Sequence, residues 1–289
     1  YPIVDDIVIF LTDEKNRNDL WDQGGRYLAK FLKENPEIEK RLMNSPLDTL
    51  LPADQFIRAL VLEERLEFQS ARAAFQVAWH GLYTDEYIAC SKRQIEYVCN
   101  AIKQFEGPVI DLASGRGYLV EEIAKSTDKF IVATDFSPKV LRRNKLMWSY
   151  LHLYDKISLI AFDSRLSPFK DKSLKCVTTN LGLPNIGHAQ EVTSELRRIV
   201  AGKFLSIMYF YPIDDKKNVE AIYSANIESF SLLSETEKIF SQNNWKYEIV
   251  NRFQGLARPT PSGEIIKGIQ IDSFPKSEIV LEWCVLIAE

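Results

Sequence analysis

One stretch constrains this chain more than any other: "VIDLASGRGYLVEEIAK", Val109–Lys125. The apolar residues after Pro108 read as a short buried strand. Asp111 closes it, Gly115 and Gly117 punctuate a turn, and a helical pattern follows. Glycines lack a Cβ, so they enter left-handed conformations cheaply and let another group come close to the backbone. A strand that runs through such a turn into a helix is the opening of a βαβ unit.

The alternation continues to the end of the chain. Apolar strands read at "FIVATD" (130–135), "ISLIAFD" (157–163), "LKCVTTN" (174–180), "GKFLSIMYFYP" (202–212), "WKYEIVNRFQ" (245–254) and "SEIVLEWCVLIAE" (277–289). Helical patterns separate them, among them one across 217–241. This order predicts an α/β fold, a Rossmann-like sheet of seven mostly parallel strands with helices on both faces. The last two strands are joined by "GLARPTPSGEIIKGIQIDSFPK" (255–276), which has no helical period. A helixless connection predicts that the last strand runs antiparallel. Alternation within "IKGIQI" suggests a short strand or hairpin arm there. Ile265, Ile266, Ile269 and Ile271 disfavour full exposure of the segment. It is expected either to wall a ligand pocket, with Arg258 at the entrance, or to cover the sheet edge.

Ahead of Val109 the texture differs. Residues 1–11 read as a short strand, 12–106 as a helical N-terminal lobe over the carboxyl edge of the sheet, and 107–289 as the α/β domain. Leu20, Tyr27, Leu28, Phe31 and Leu32 fall on roughly one helix face, and Ile88, Ile95, Val98, Ile102 and Phe105 on another. The helical pattern from about 54 to 82 reads as broken, because its apolar residues do not share one stripe. Phe75, Trp79, Tyr83 and Tyr87 are spaced by four and line one side, either packing on the sheet or closing a pocket.

Composition narrows the function classes. A net charge of -4 offers no overall attraction to nucleic acid. No apolar run approaches the length of a membrane helix, and the acidic start "YPIVDDIVIF" does not read as a secretory signal. Cys90, Cys99, Cys176 and Cys284 form no C-x-x-C pair and read as reduced core thiols of a cytoplasmic protein. With three histidines and no cluster of ligand spacing, no metal site is expected.

In an open parallel sheet the ligand sits beyond the carboxyl ends of the strands. Those ends carry Asp111, Asp135, Asp163 and Asn180. Asp135 can accept both hydroxyls of a ribose, and Asp163 can accept from an exocyclic amine such as that of adenine. Asp111 discriminates, because a carboxylate in the first turn repels a pyrophosphate and attracts an ammonium. Val120 stands where a dinucleotide fingerprint has its third glycine. The pocket therefore prefers a ligand with a ribose, an adenine and a cationic amine. S-Adenosylmethionine has all three.

These segments resemble the motifs of class I S-adenosylmethionine-dependent methyltransferases, close to the type-11 group that includes quinone-biosynthesis enzymes. "VIDLASGRGYL" resembles the first motif and "VATDFSPKVLRRNK" the second. "AFDSRLSPFKDKSLKCVTTNLGLPNI" resembles the third and fourth, and "ELRRIVAGKFLSIM" the fifth. The likeness covers roughly residues 100–289 and implies the fold, the cofactor and a methyltransferase activity. It adds Ala113, Ser114, Phe136, Ser137, Ser164 and Leu181 to the expected cofactor contacts. Two departures are visible: Tyr118 follows the two glycines where many relatives carry a third, and Pro184 and Asn185 stand where some carry paired histidines. The N-terminal "YPIVDDIVIF" resembles the closing strand of a zinc-ribbon-type adaptor module.

Methyl transfer from a sulfonium needs donor and nucleophile held in line, and a base only for a protonated nucleophile. Tyr83 and His188 are the candidates for that proton; solvent exposure is the plainer reading of His188. A small-molecule or lipid-like acceptor is favoured over RNA or protein. A methyltransferase-fold scaffold without activity and a nicotinamide oxidoreductase stand as alternatives. The oligomeric state is not readable from the sequence.

Overall fold

The computed structural model describes residues 1–11, 20–268 and 270–289, with side chains in the first helix from residue 22 onward. The elements run, in chain order, β1 (Ile3–Val4), β2 (Ile7–Ile9), α1 (Leu20–Glu34), α2 (Pro36–Asn44), α3 (Pro52–Glu64), α4 (Phe68–Leu82), α5 (Asp85–Ala101), β3 (Val109–Asp111), α6 (Tyr118–Ser126), β4 (Ile131–Asp135), α7 (Pro138–Tyr150), β5 (Ile157–Ala161), β6 (Leu174–Asn180), α8 (Leu183–Ile186), α9 (Ala189–Ile199), β7 (Val200–Phe210), α10 (Lys216–Ser224), α11 (Glu228–Ser231), α12 (Leu233–Gln242), β8 (Tyr247–Ala257) and β9 (Ile279–Ala288). The chain divides into two compact units. One comprises 1–17, 89–255 and 280–289; the other comprises 18–88 and 256–279. The division expected from the sequence fell at 106/107 and left residues 256–279 with the sheet.

The first unit holds one sheet of order β1-β2-β5-β4-β3-β6-β7-β9-β8. Pairing is parallel from β2 through β7, and β9 runs antiparallel to β7. The seven expected strands are present and the last is antiparallel, as its helixless connection required. Two more come from residues 1–11, which form a hairpin instead of one strand. Asp5 and Asp6 have φ of 53° and 65° at its tip, a turn geometry that joins antiparallel strands with matching twist. Asp5 pairs with Arg142 and Asp6 with Lys145, which ties the hairpin to α7.

The central strands β3, β6 and β7 are largely buried, so they need cover. α9 buries Val192, Leu196 and Ile199 in a cluster with Phe204 of β7, Phe240 of α12 and Trp245. α6 buries Leu119, Val120 and Ile123; α7 buries Val140, Leu141 and Trp148. The single helix expected across 217–241 is three, with Asn226 at φ 54° in the first break. The apolar period survives the interruption because the pieces bury Ile222, Phe230 and Phe240. All four cysteines are buried and none is in a disulfide. Burial pushes the thiols of Cys176 and Cys284 up to about 12, which keeps them unreactive.

The second unit is helical. The break anticipated between 54 and 82 falls at Leu66, whose φ of 62° separates α3 from α4. Leu32, Leu42, Leu50, Ile57 and Val61 form a core with Ile265 and Ile266. Those isoleucines belong to the segment expected to carry a strand or hairpin arm, and no strand forms among the described residues of 258–276. Its backbone amides are spent elsewhere. The buried Asp54 carboxylate accepts N–H bonds from Glu264 (2.8 Å), Ile265 (3.2 Å) and Ile266 (3.3 Å). Ile269 lies outside the described residues. Phe75, Trp79, Tyr83 and Tyr87 make a continuous row of rings, with centroids 5.6, 4.5 and 4.8 Å apart, although the chain leaves one helix and starts another between them. Arg258 donates to the carbonyl of Gly81 at 3.2 Å.

Candidate functional site

Chain order along the sheet reverses at β3. From β3 the chain moves to β4 and β5 on one side, and later to β6 and β7 on the other. The crevice between the carboxyl ends of β3 and β6 is therefore where side chains from both directions converge. Asp111, Asp135 and Asn180 are the last residues of β3, β4 and β6; Asp163 lies two residues beyond β5.

The turn after β3 is held by its own polar groups. Ala113 and Gly115 both have φ of 51°, and the Gly117 N–H donates to the Ser114 carbonyl at 2.7 Å before α6 begins. The Ser114 hydroxyl donates to the Asp111 carbonyl at 3.1 Å and accepts the Thr134 N–H at 3.2 Å, so it fastens β3 to β4. The two glycines do different work. A Cβ on Gly117 would stand 2.4 Å from Cζ2 of Trp148, so a side chain of the protein itself excludes one there. A Cβ on Gly115 would find only the Ala113 carbonyl, at 3.9 Å. The open space above the turn lies at Gly115.

Asp135 faces that turn. Its Oδ2 accepts the Gly115 N–H and its Oδ1 the Ser137 N–H, each at 2.9 Å. Two backbone donors fix the carboxylate. Phe136 is half-buried beside it. Ser137 is buried and caps α7 by accepting the Val140 N–H.

Asp111 is 1% exposed and accepts from the Thr178 hydroxyl at 2.8 Å. Burial pushes its carboxyl up to about 7; the Thr178 bond opposes the rise and the charge of Asp135 adds to it. A cation beside it would reverse that balance. Asn180 has its Oδ1 buried without a hydrogen-bond partner. An orphaned acceptor at a strand end calls for a donor from outside the chain.

Asp163 differs from the reading of it as a free acceptor. Arg165 closes on it with Nε at 2.9 Å and Nη2 at 2.5 Å, and the Arg165 N–H adds a further bond of 2.9 Å. Burial would raise this carboxyl, but the Arg165 bonds outweigh burial and hold it below the usual range. The D-x-R spacing was a local signal for this clamp. Ser164 lies between the two residues, half-buried. Leu181 sits at φ 55° in the turn after β6, where its N–H donates to the Ile207 carbonyl at 3.1 Å.

Two residues that sequence reasoning passed over complete the crevice. Gly182 packs where a Cβ would stand 2.4 Å from the Thr179 hydroxyl and 3.0 Å from the Ala113 Cβ. The turns after β3 and β6 thus touch through glycine and alanine. Asn144, buried on α7, donates to the Gly115 carbonyl at 2.8 Å.

Beyond Leu181 a pocket of about 210 Å³ opens, lined among others by Leu183, Pro184, His188, Asn226 and Glu228. His188 has φ of 50° and lies 3.5 Å from Glu191, with more than half of each side chain exposed. The second candidate, Tyr83, lies in the helical unit, where its hydroxyl donates to Asp272 at 2.6 Å. Burial pushes the Asp272 carboxyl upward and this bond opposes it.

Comparison with known proteins agrees with this geometry. Residues 109–202, from β3 into the start of β7, match a family model described as a methyltransferase domain. Over these residues the chain is similar to methyltransferase domains. The chain is 25% identical over 171 residues to a ubiquinone/menaquinone biosynthesis C-methyltransferase, UbiE, of Pseudomonas aeruginosa, covering 57% of this chain and 63% of the relative. A Klebsiella pneumoniae protein of the same name is 19% identical over 180 residues, 61% of this chain and 68% of its own. The chain spans just under two thirds of the length of the Pseudomonas relative. The crystal structure of the YcgJ protein of Bacillus subtilis shares the fold, with a TM-score of 0.55 over 68% of this chain and 97% of that one, at 12% identity.

S-Adenosylmethionine is the cofactor of methyltransferase domains of this class, and the residues of this one fit it. The open face at Gly115, the fixed carboxylate of Asp135, the buried Asp111 and the orphaned Asn180 Oδ1 are groups that could hold a ligand rich in donors and bearing a cation. Among the described residues no helix is long and apolar enough to cross a membrane, and no group of three or more His, Cys, Asp or Glu is placed to hold a metal ion.

Proposed function

We propose that the protein transfers a methyl group from S-adenosylmethionine to a small or lipid-like acceptor. The observation that carries this reading is the Asp135 carboxylate, held at the end of β4 by the amides of Gly115 and Ser137, beside a glycine turn with open space at Gly115. A carboxylate so fixed is preorganised for paired hydroxyls such as those of a ribose. Asp111 draws the ligand's ammonium into the crevice, and its buried position strengthens that attraction. Asn180 offers its orphaned oxygen to a donor of the same ligand. Asp163 serves through the Arg165 clamp, so an amine there shares the carboxylate with a guanidinium.

The cofactor supplies a methyl group already activated on a sulfonium. The chain's task is to hold it and to admit the acceptor on one side. The pocket past β6, with His188 at its rim, supports entry of the acceptor from that side. His188 is the stronger of the two candidates for receiving a proton, because it lines this pocket. The names of the curated relatives support a quinol-like aromatic acceptor, whose ring carbon or hydroxyl would be the nucleophile.

The test is titration calorimetry with S-adenosylhomocysteine, with NAD as competitor, followed by transfer of labelled methyl from S-adenosylmethionine to benzoquinol and naphthoquinol acceptors. Binding of the homocysteine analogue without competition, followed by label on the ring, is the expected result. Tight NAD binding with no response to the analogue sinks the cofactor assignment. Binding without transfer to any acceptor supports a scaffold role.

A further inference from the structure

The glycine turn is gripped from both sides, and one grip comes from a helix that bears none of the expected ligand contacts. Gly115 has φ of 51° and no side chain to restrain it. Its N–H is held by Asp135 Oδ2 at 2.9 Å. Its carbonyl accepts from Asn144 Nδ2 at 2.8 Å and from Arg143 Nη2 at 3.3 Å. Arg143 Nη2 also donates to Asn144 Oδ1 at 3.1 Å, which leaves the amide with its nitrogen toward Gly115. Asn144 is 2% exposed, so this bond is shielded from competing water. One turn further along α7, Trp148 fills the space behind Gly117. The peptides on both sides of Gly115 are therefore fixed by partners from different elements, β4 and α7.

We propose that Asn144 is a positioning residue for the donor site, acting by holding the Gly115 peptide in the orientation that fixes Asp135. The proposal rests on the cofactor reading above. Without the amide, Gly115 retains its conformational freedom, and ligand binding must restrict it. Asp135 then loses a fixed donor and the carboxylate samples other rotamers. The effect on the ligand passes through Gly115 and Asp135; Asn144 itself need not touch it.

The experiment uses Asn144→Asp, which preserves shape and replaces the donor with an acceptor facing the Gly115 carbonyl, and Arg143→Met, which leaves Asn144 in place but removes both the group that orients it and the longer bond of Arg143 to the same carbonyl. Affinity for S-adenosylhomocysteine is measured by calorimetry, and the Gly115 amide is followed by nitrogen-15 NMR and hydrogen exchange in the ligand-free protein. The expected result is about tenfold weaker binding for Asn144→Asp, the size of one buried hydrogen bond, with a smaller loss of about two- to threefold for Arg143→Met. The Gly115 amide should shift and lose exchange protection in both, while amides of β6 and β7 hold theirs. A merely structural role would lower protection across the sheet together. Wild-type affinity in both variants, or an unmoved Gly115 amide, overturns the proposal. If Asn144→Asp does not fold, Arg143→Met carries the test. If the wild-type protein itself does not bind the analogue, the cofactor reading fails, and the amide measurement still decides whether Asn144 holds the turn.

Discussion

Asp135 and Gly115, twenty residues apart in the chain, meet at 2.9 Å where the ends of β3 and β4 lie side by side. The bond joins a backbone amide to a carboxylate, so the glycine and the acid act as one unit. Replacing Asp135 by alanine removes two amide-to-carboxylate bonds and the ribose acceptor at once. Affinity for S-adenosylhomocysteine should fall about 100-fold, with Asp135→Asn nearer tenfold. Calorimetry checks both, and an unchanged affinity for Asp135→Ala would exclude it from the site.

Asp111 makes stability depend on pH in a direction opposite to that of most carboxylates. Its folded pKa is raised from 3.8 to about 7. The folded state therefore binds a proton that the unfolded state has released, and this contribution is full below pH 4 and lost as pH rises through 7. The loss is on the order of a few kcal/mol. Urea unfolding of the ligand-free wild-type protein at pH 5 and pH 8 should show the drop, and Asp111→Asn should flatten it. A cationic ligand draws the carboxyl into its charged form, so binding near pH 6 should release a proton. Calorimetry in buffers of different ionisation enthalpy measures that release.

Gly117 should respond to the size of residue 148. Alanine at 117 meets Trp148 at 2.4 Å and also bears the cost of φ at 77°, together about 2–4 kcal/mol. In the double variant Gly117→Ala with Trp148→Leu, the steric part should disappear and the backbone part remain. A double-mutant cycle in urea should give a coupling of about 1 kcal/mol or more. Additive effects would mean that the indole is not what excludes the side chain.

In the helical unit, Asp54 gathers the backbone amides of Glu264, Ile265 and Ile266. Asp54→Ala strands three of them and should cost about 2–4 kcal/mol, read as an earlier urea transition. Deletion of 258–267 removes Ile265 and Ile266 from the same core and should unfold this unit. Loss of acceptor turnover in such a deletion would then report stability, so circular dichroism must accompany the assay.

The fold was legible because its signals are local. Alternating strands and helices, the helixless final connection and the polar strand ends all lie within a few residues of one another. Asp111, Asp135 and Asn180 were found for that reason. The Arg165 clamp on Asp163 was also local and was passed over, because an ion pair two residues apart carries no periodicity. The "IKGIQI" alternation misled. Alternation reports burial on one side, and Ile265 and Ile266 obtain that burial against helices while Asp54 takes their amides.

By itself the sequence determined seven of the strands, the antiparallel sense of the last, and that an acid and a glycine turn stand at the first carboxyl end. These follow from side-chain periodicity and from the conformational freedom of glycine. Tertiary structure decided why each glycine is there. Gly117 yields to Trp148, thirty-one residues on; Gly182 yields to Thr179 and Ala113; of these three, Gly115 opens outward, pinned by Asp135 and Asn144. A glycine in the sequence says only that something comes close. Whether that is a tryptophan of the same chain or a ligand depends on which helix packs behind the turn, and this is set by contacts between residues far apart in the chain.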